Sequence, residues 1–271
     1  MKDLQGKTAV VTGAGSGIGR GCALAFAEAG MNVVVADIDE QSASVVASEI
    51  EKLGTKAIGV RTDVADRASV AALADAAWSA FGAAHLLHNN AGVSLFVRME
   101  DLSDEDWNWT ISINLGGVVN GIQEFLPRFK ALDGEKHIVN TASMAGIFAG
   151  PGLGAYNATK YAVVAISETL REEAAADNIG VSVVCPGLVM TNLITTTVER
   201  RPPGGGEMTF TFEGGEAAAL GRFITPEEAG QIVRRGVECN DLYIFTHPEW
   251  VILAEERFKR IKSAFDDQSK R

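Results

Sequence analysis

The chain is poor in the groups from which metal sites and disulfide frameworks are made: its 271 residues include three cysteines and four histidines. Cys22, Cys185 and Cys239 are far apart and odd in number, and read as buried thiols in a reducing compartment. His85, His88, His137 and His247 show no ligand spacing with Cys or Asp partners, so no metal is expected. Positive charge is also short, with 24 Lys and Arg against 35 Asp and Glu and a net charge of −11. No Lys/Arg run interrupts that acidity, which argues against nucleic acid and anionic membranes as partners. No stretch approaches the ~18 apolar residues of a membrane span. The opening MKDLQGKTAVVTG enters a strand-like run without the pattern of a secretory leader. A cytoplasmic protein is expected, and 46% hydrophobic residues suffice for the core of one domain over 1–271.

What is present is a rhythm. Short β-branched runs, TAVVTG, NVVVAD, AIGVRTD, HLLHNNAG, HIVNTAS and VSVVCPG, alternate with longer amphipathic stretches such as Gly17 to Ala29 and Asp39 to Leu53. The runs are apolar at consecutive positions, as strands covered on both faces should be. Repeated βαβ units predict an α/β fold, a doubly wound parallel sheet with helices on both sides. Between about residues 191 and 223 the pattern fails: Pro202-Pro203 and Gly204 to Gly206 prevent a regular element, and a substrate loop or lid is expected there. Periodicity resumes at Thr225-Pro226-Glu227, an N-cap with Pro in the first turn, and LYIFT and a charged helix end the fold.

The first strand runs through Thr12-Gly13-Ala14-Gly15-Ser16-Gly17-Ile18-Gly19 straight into a helix. Glycines at such a turn let backbone approach a pyrophosphate, while the helix N-terminus offers unpaired N–H groups and a positive dipole end. The spacing is T-G-x-x-x-G-x-G, because Ile18 or Arg20 stands where the last glycine of G-x-G-x-x-G would be. Asp37 ends the second strand about twenty residues further on, where a carboxylate can accept from an adenosine ribose and repel a 2′-phosphate. No basic residue stands beside it in sequence, so NAD is favoured over NADP; Asp37 can alternatively cap the next helix, as can Asp39. Asp63 and Val64 end the third strand near where adenine would lie. Asn89, Asn90, Ala91 and Gly92 follow the fourth, small and polar enough for a loop beneath a cofactor or simply for a turn.

Tyr156 and Lys160 in GAYNATK stand one helical turn apart, as a catalytic pair or as two side chains sharing a face. A phenol with an ordinary pKa near ~10 is a poor base at neutral pH, and a nearby ammonium would favour its phenolate. Tyr161 points about 100° away around the helix and is read as packing. Ser143, at the end of the fifth strand, can cap a turn or hold a substrate oxygen. Asn114 in ISINLGG sits by the Gly116-Gly117 kink.

TGAGSGIG at 12 to 19, NNAG at 89 to 92, Ser143, YNATK at 156 to 160 and Pro186-Gly187 together resemble the short-chain dehydrogenase/reductase family, in order and spacing, from about residue 6 to 191. The resemblance implies a seven-stranded Rossmann sheet in three α/β/α layers, a nicotinamide cofactor, and hydride transfer to or from a carbinol carbon. It makes Tyr156 the proton acceptor and Ser143 the holder of the substrate oxygen. Lys160 would hydrogen-bond the nicotinamide ribose, and Asn114 would position a water for proton relay. Gly13, Ser16, Gly17, Ile18, Gly19, Asp37, Asp63, Val64, Asn90, Ala91 and Gly92 would bind cofactor. Pro186, Gly187, Val189 and Thr191 would do so near the carboxamide.

Leu95, Phe96, Met144, Phe148, Leu153, Leu188, Leu193, Ile194, Met208, Phe210 and Phe212 give the expected substrate end an apolar character, suggesting a hydrophobic secondary alcohol or ketone. The tail RRGVECNDLYIFTHPEWVILAEERFKRI replaces the family's frequent V-D-G-G ending and resembles a subgroup acting on bulky aryl alcohols and ketones. A homo-oligomer is expected, paired through the helices of Asn114 and Tyr156, with dimer and tetramer both open. A hydrolase is disfavoured because NTASMAGI lacks G-x-S-x-G around Ser143. A cofactor-binding sensor without turnover is the rival, against which Ser143, Tyr156 and Lys160 stand intact.

Overall fold

A computed structural model describes residues 1–208 and 221–270. Its strands are β1 (Thr8–Thr12), β2 (Asn32–Asp37), β3 (Ala57–Arg61), β4 (Leu86–Asn89), β5 (Lys136–Thr141), β6 (Ile179–Cys185) and β7 (Tyr243–Phe245). They form one seven-stranded sheet, all parallel, in the order β3-β2-β1-β4-β5-β6-β7. Alternation along the strands feeds two layers. Ala9, Val11, Val33 and Val35 pack on one face against α1 (Gly17–Glu28) and α2 (Glu40–Glu51). Val10 and Val34 pack on the other against α3 (Arg67–Phe81), α5 (Gly117–Lys130) and α6 (Gly154–Ala174). The central strands are therefore buried on both sides, which is why their sequences read as apolar runs, while β3 and β7 at the edges keep exposed positions.

The order reverses between β1 and β4, whose chain continuations diverge to opposite edges of the sheet. Ligands of open α/β sheets bind in the crevice beyond the carboxyl ends at such a reversal. Before α5 come α4 (Asp104–Ile111) and a wider turn of helix over Ser112–Gly116, and Gly116 and Gly117 themselves keep helical backbone angles.

The segment expected to lack regular structure contains a helix, α7 (Leu193–Arg200). Its end has a local cause: Arg201 precedes Pro202 and is extended, at φ −61° and ψ 136°, because the proline ring excludes the helical conformation from the residue before it. The prolines thus set where α7 stops without preventing it. Phe210 and Phe212 lie outside the described residues. After them comes α8 (Pro226–Cys239), capped reciprocally: Glu228 N–H donates to Thr225 Oγ1 at 3.1 Å and Thr225 N–H to Glu228 Oε2 at 3.0 Å. The chain ends in α9 (Val251–Gln268), none of whose residues is buried. Among the described residues no helix is long and apolar enough to cross a membrane. One thiol departs from expectation: Cys22 and Cys185 are buried, but Cys239, in the last turn of α8, is exposed.

Candidate active site

The crevice at the β1/β4 reversal is a cleft of about 680 Å³. One end is formed by the turn from β1 into α1. The N-cap Ser16 is extended and makes no side-chain hydrogen bond to the helix, and no acidic side chain occupies the first turn. The first N–H groups of α1 lack intrahelical acceptors, and Ser16, Gly17 and Ile18 line the cleft. Gly13, at φ +62°, passes so close to the loop after β4 that a Cβ would lie 2.8 Å from Ala91 Cα. Gly19 stands behind the turn: a Cβ there would meet the Gly13 carbonyl at 2.2 Å. Asn90 ties the turn to β4 by donating to the Thr12 and Gly13 carbonyls at 3.0 and 3.3 Å.

Asp37 lines the same end with its carboxylate held from behind: Oδ2 accepts from Gly15 N–H at 2.9 Å and Oδ1 from Asp39 N–H at 3.0 Å. The helix cap is Asp39 instead, which accepts from Gln41 N–H at 3.0 Å and Ser42 Oγ at 2.7 Å. Hydrogen bonding from Ser42 holds the Asp39 carboxyl below its usual range, with a smaller contribution from Arg200. Arg200 was not visible beside Asp37 in sequence, and here it borders the same cleft from α7. Asp63 and Val64 also line it; the Asp63 carboxylate accepts from Ala65 N–H at 3.0 Å and the Val64 carbonyl from Asn120 Nδ2 at 2.9 Å.

At the opposite end stand Ser143, Tyr156 and Lys160, brought together from the end of β5 and the first turns of α6. Ser143 takes the capping role open to it in sequence. Its Oγ accepts from Ala145 N–H at 3.1 Å, capping a short turn, and it borders the cleft with Tyr156. Lys160 is 3% exposed and donates to the Thr141 carbonyl at 2.9 Å, with Nζ 5.5 Å from the Tyr156 ring centroid. Burial lowers its pKa to about 8. Burial also raises the Tyr156 pKa, with the neighbouring Ser143 hydroxyl opposing it. The lowered phenol expected from a neighbouring ammonium is therefore not found, because removal from water dominates the shift.

Asn114, 1% exposed, does not face the cleft with a free amide. Its Oδ1 accepts from Val93 N–H at 2.8 Å, and its Nδ2 donates to the Val93 carbonyl at 2.9 Å and to Thr159 Oγ1 at 3.3 Å. It fixes the loop after Gly92 against α6. Pro186, Gly187, Val189 and Thr191 line the cleft beyond β6, and Asn90, Ala91 and Gly92 line it beyond β4.

Several lining residues went unread in the sequence: Ser42, Thr62, Trp109, Ile113, Thr141 and Thr196. Thr62 directly follows β3 and Thr141 ends β5, so the strand-end rule would have found them. Conversely, Leu95 and Met144 point into the core at 1% and 3% exposure. Phe148 and Leu188 pack near Trp250 in another buried cluster. Of the apolar side chains expected around a substrate, Leu193 borders the cleft, joined by Val93, Trp109 and Ile113.

Residues 7–202 match the family model described as short chain dehydrogenase. The chain is 35% identical over 266 residues to the C alpha-dehydrogenase of Sphingobium sp. (strain NBRC 103272 / SYK-6), covering 96% of this chain and 87% of that protein. Its fold superposes at a TM-score of 0.88 on a short chain dehydrogenase/reductase from Burkholderia phymatum crystallised in complex with NAD, at 36% identity and 97% coverage of both chains. The apo form of LigO from Sphingobium sp. strain SYK-6 superposes at 0.85, with 34% identity, 99% of this chain and 92% of that one. With the glycine turn at the β1/β4 reversal and the Ser143, Tyr156 and Lys160 cluster at its far end, the chain belongs to the short-chain dehydrogenase/reductase family of oxidoreductases.

Proposed function

We propose that the chain is an NAD-dependent dehydrogenase of a hydrophobic secondary alcohol, or reductase of the corresponding ketone. The observation that carries this reading is one cleft with an uncapped helix N-terminus and Asp37 at one end and Ser143, Tyr156 and Lys160 together at the other. The residues fit a dinucleotide. Open N–H groups and a positive dipole end suit its pyrophosphate, and Asp37, already held in place by Gly15 and Asp39, suits an unphosphorylated ribose. A bound nicotinamide would supply the two-electron acceptor or donor.

The protein's own groups handle the proton. In oxidation, the Tyr156 phenolate takes the proton from the alcohol oxygen as the carbon is oxidised to a ketone. In reduction, the phenol returns it. Ser143 holds the same oxygen beside Tyr156, and the Lys160 ammonium favours the phenolate by charge. Trp109, Ile113, Val93 and Leu193 supply apolar wall, which supports a hydrophobic substrate over a polyol. A panel of aryl carbinols, aliphatic secondary alcohols and polyols, followed by NADH absorbance, tests the preference. The aryl and aliphatic carbinols should be turned over faster, and equal turnover of a polyol contradicts it.

We propose too that the chain works as a homo-oligomer. Support comes from α9, where Ile252, Phe258 and Phe265 are 60%, 57% and 72% exposed. Light scattering should return a mass above 28.7 kDa, and a monomer at micromolar concentration would contradict it.

A further inference from the structure

Two contacts fasten α7 to the rest of the molecule. Thr197, fully buried, receives Ser94 N–H on its Oγ1 at 3.0 Å and donates to the Leu193 carbonyl at 2.6 Å. One residue past the helix, Arg201 grips Asp106 of α4 with two parallel hydrogen bonds, Nε to Oδ1 and Nη2 to Oδ2, both at 2.7 Å. Its third nitrogen donates to the Gly206 carbonyl at 2.7 Å. The two side chains are 12% and 1% exposed, whereas pairs such as Arg98–Glu100 and Lys262–Asp266 lie largely in solvent. Asp106 is held independently by its capping box, accepting from Ser103 N–H at 3.3 Å while its own N–H donates to Ser103 Oγ at 3.1 Å.

A planar guanidinium on a carboxylate fixes direction as well as distance. Here it joins two helices that both border the cleft. Trp109, one turn along α4 from Asp106, lines one part; Leu193, Thr196, Glu199 and Arg200 of α7 line another. Arg200 reaches the end where Asp37 and Asp39 stand, and Thr191 comes within 3.2 Å of where a Gly17 Cβ would be. The segment from Thr191 through α7 therefore borders the end of the cleft formed by the glycine turn and Asp37, with Arg201–Asp106 fastening it just past its last turn.

We propose that Asp106 and Arg201 are positioning residues that hold α7 over the bound dinucleotide, so that the strength of this ion pair sets how fast the cofactor leaves. The inference rests on the dinucleotide reading of the cleft. Neither residue touches the reacting atoms. Removing either end leaves the other buried charge without its partner, which favours states in which α7 has swung away and the charge meets water.

The test is stopped-flow displacement of NADH by excess NAD, read by NADH fluorescence, on the full chain and on Asp106→Asn and Arg201→Lys. The asparagine preserves shape and capping geometry but not charge; the lysine preserves charge but not the paired hydrogen bonds. Both variants should release NADH at least five-fold faster than the parent, with association rates within two-fold of it. A general loss of structure would instead reduce the fraction of binding-competent sites and leave the dissociation rate of the remainder unchanged. Parental dissociation rates in both variants overturn the clasp while leaving the dinucleotide reading intact. A parent that binds no NADH overturns both.

Discussion

Lys160 Nζ lies 5.5 Å from the centroid of the Tyr156 ring, yet its hydrogen bond goes to the Thr141 carbonyl. The ammonium thus stands over the phenol ring without a hydrogen bond to it, at a site where burial has lowered its own pKa to about 8. Tyr156, raised by the same burial, rests as the neutral phenol. Burial moves both groups toward their neutral forms.

The first consequence concerns stability. A lysine whose folded pKa lies below its unfolded value disfavours folding wherever it must be charged. Below about pH 8 both states bind the proton and the penalty is full. Between about 8 and the ordinary value of 10.5 the unfolded state binds more protons, so the penalty fades as pH rises. Lys160→Met should abolish turnover yet raise the melting temperature at pH 7 by a few degrees, corresponding to about 1–3 kcal/mol. That gain should shrink at pH 9.5, as calorimetry at the two pH values would record.

Direction of catalysis should depend on pH with opposite signs. Raising pH increases the phenolate fraction of Tyr156, which oxidation requires, and depletes the phenol, which reduction requires. Between pH 6 and 9, kcat/KM for alcohol oxidation should climb while that for ketone reduction holds level, falling only as pH passes the ordinary phenol value of 10. Initial rates in both directions on one substrate pair check this, and parallel profiles would remove Tyr156 from the proton transfer.

Asp37 should decide the cofactor. Its carboxylate faces the cleft from a fixed position, backed by Gly15 and Asp39 N–H groups. Asp37→Asn keeps the shape and removes the charge, so the ratio of kcat/KM for NAD over NADP should fall by about 10–100-fold, the scale of one charge-assisted hydrogen bond. An unchanged ratio would shift the choice to another group, with Arg200 the nearest basic candidate in the cleft.

What the sequence revealed and hid follows from how far apart the determinants lie. The strands, the glycine turn and the capped start of α8 are local patterns, and each was readable in a window of a few residues. Ser143, Tyr156 and Lys160 carried a motif, and the fold brings all three to the cleft. The apolar wall was not readable, because neighbours in sequence face opposite ways: Leu95 enters the core while Val93 borders the cleft. Trp109, Arg200 and the Asp106–Arg201 pair depend on α4 meeting a helix about a hundred residues later, for which no local signature exists. The upward shift of Tyr156 was hidden for the same reason, since burial belongs to the folded chain.

The central claim is that Tyr156 carries the proton in a nicotinamide-dependent reaction, and Tyr156→Phe tests it most directly. The substitution keeps the ring beside Lys160 and removes only the hydroxyl. With an aryl carbinol and NAD, followed at the NADH absorbance, kcat should drop by about 10²–10⁴-fold, while the NADH dissociation constant stays within a few-fold of the parent's. Turnover at the parental rate with NADH still bound would contradict the account.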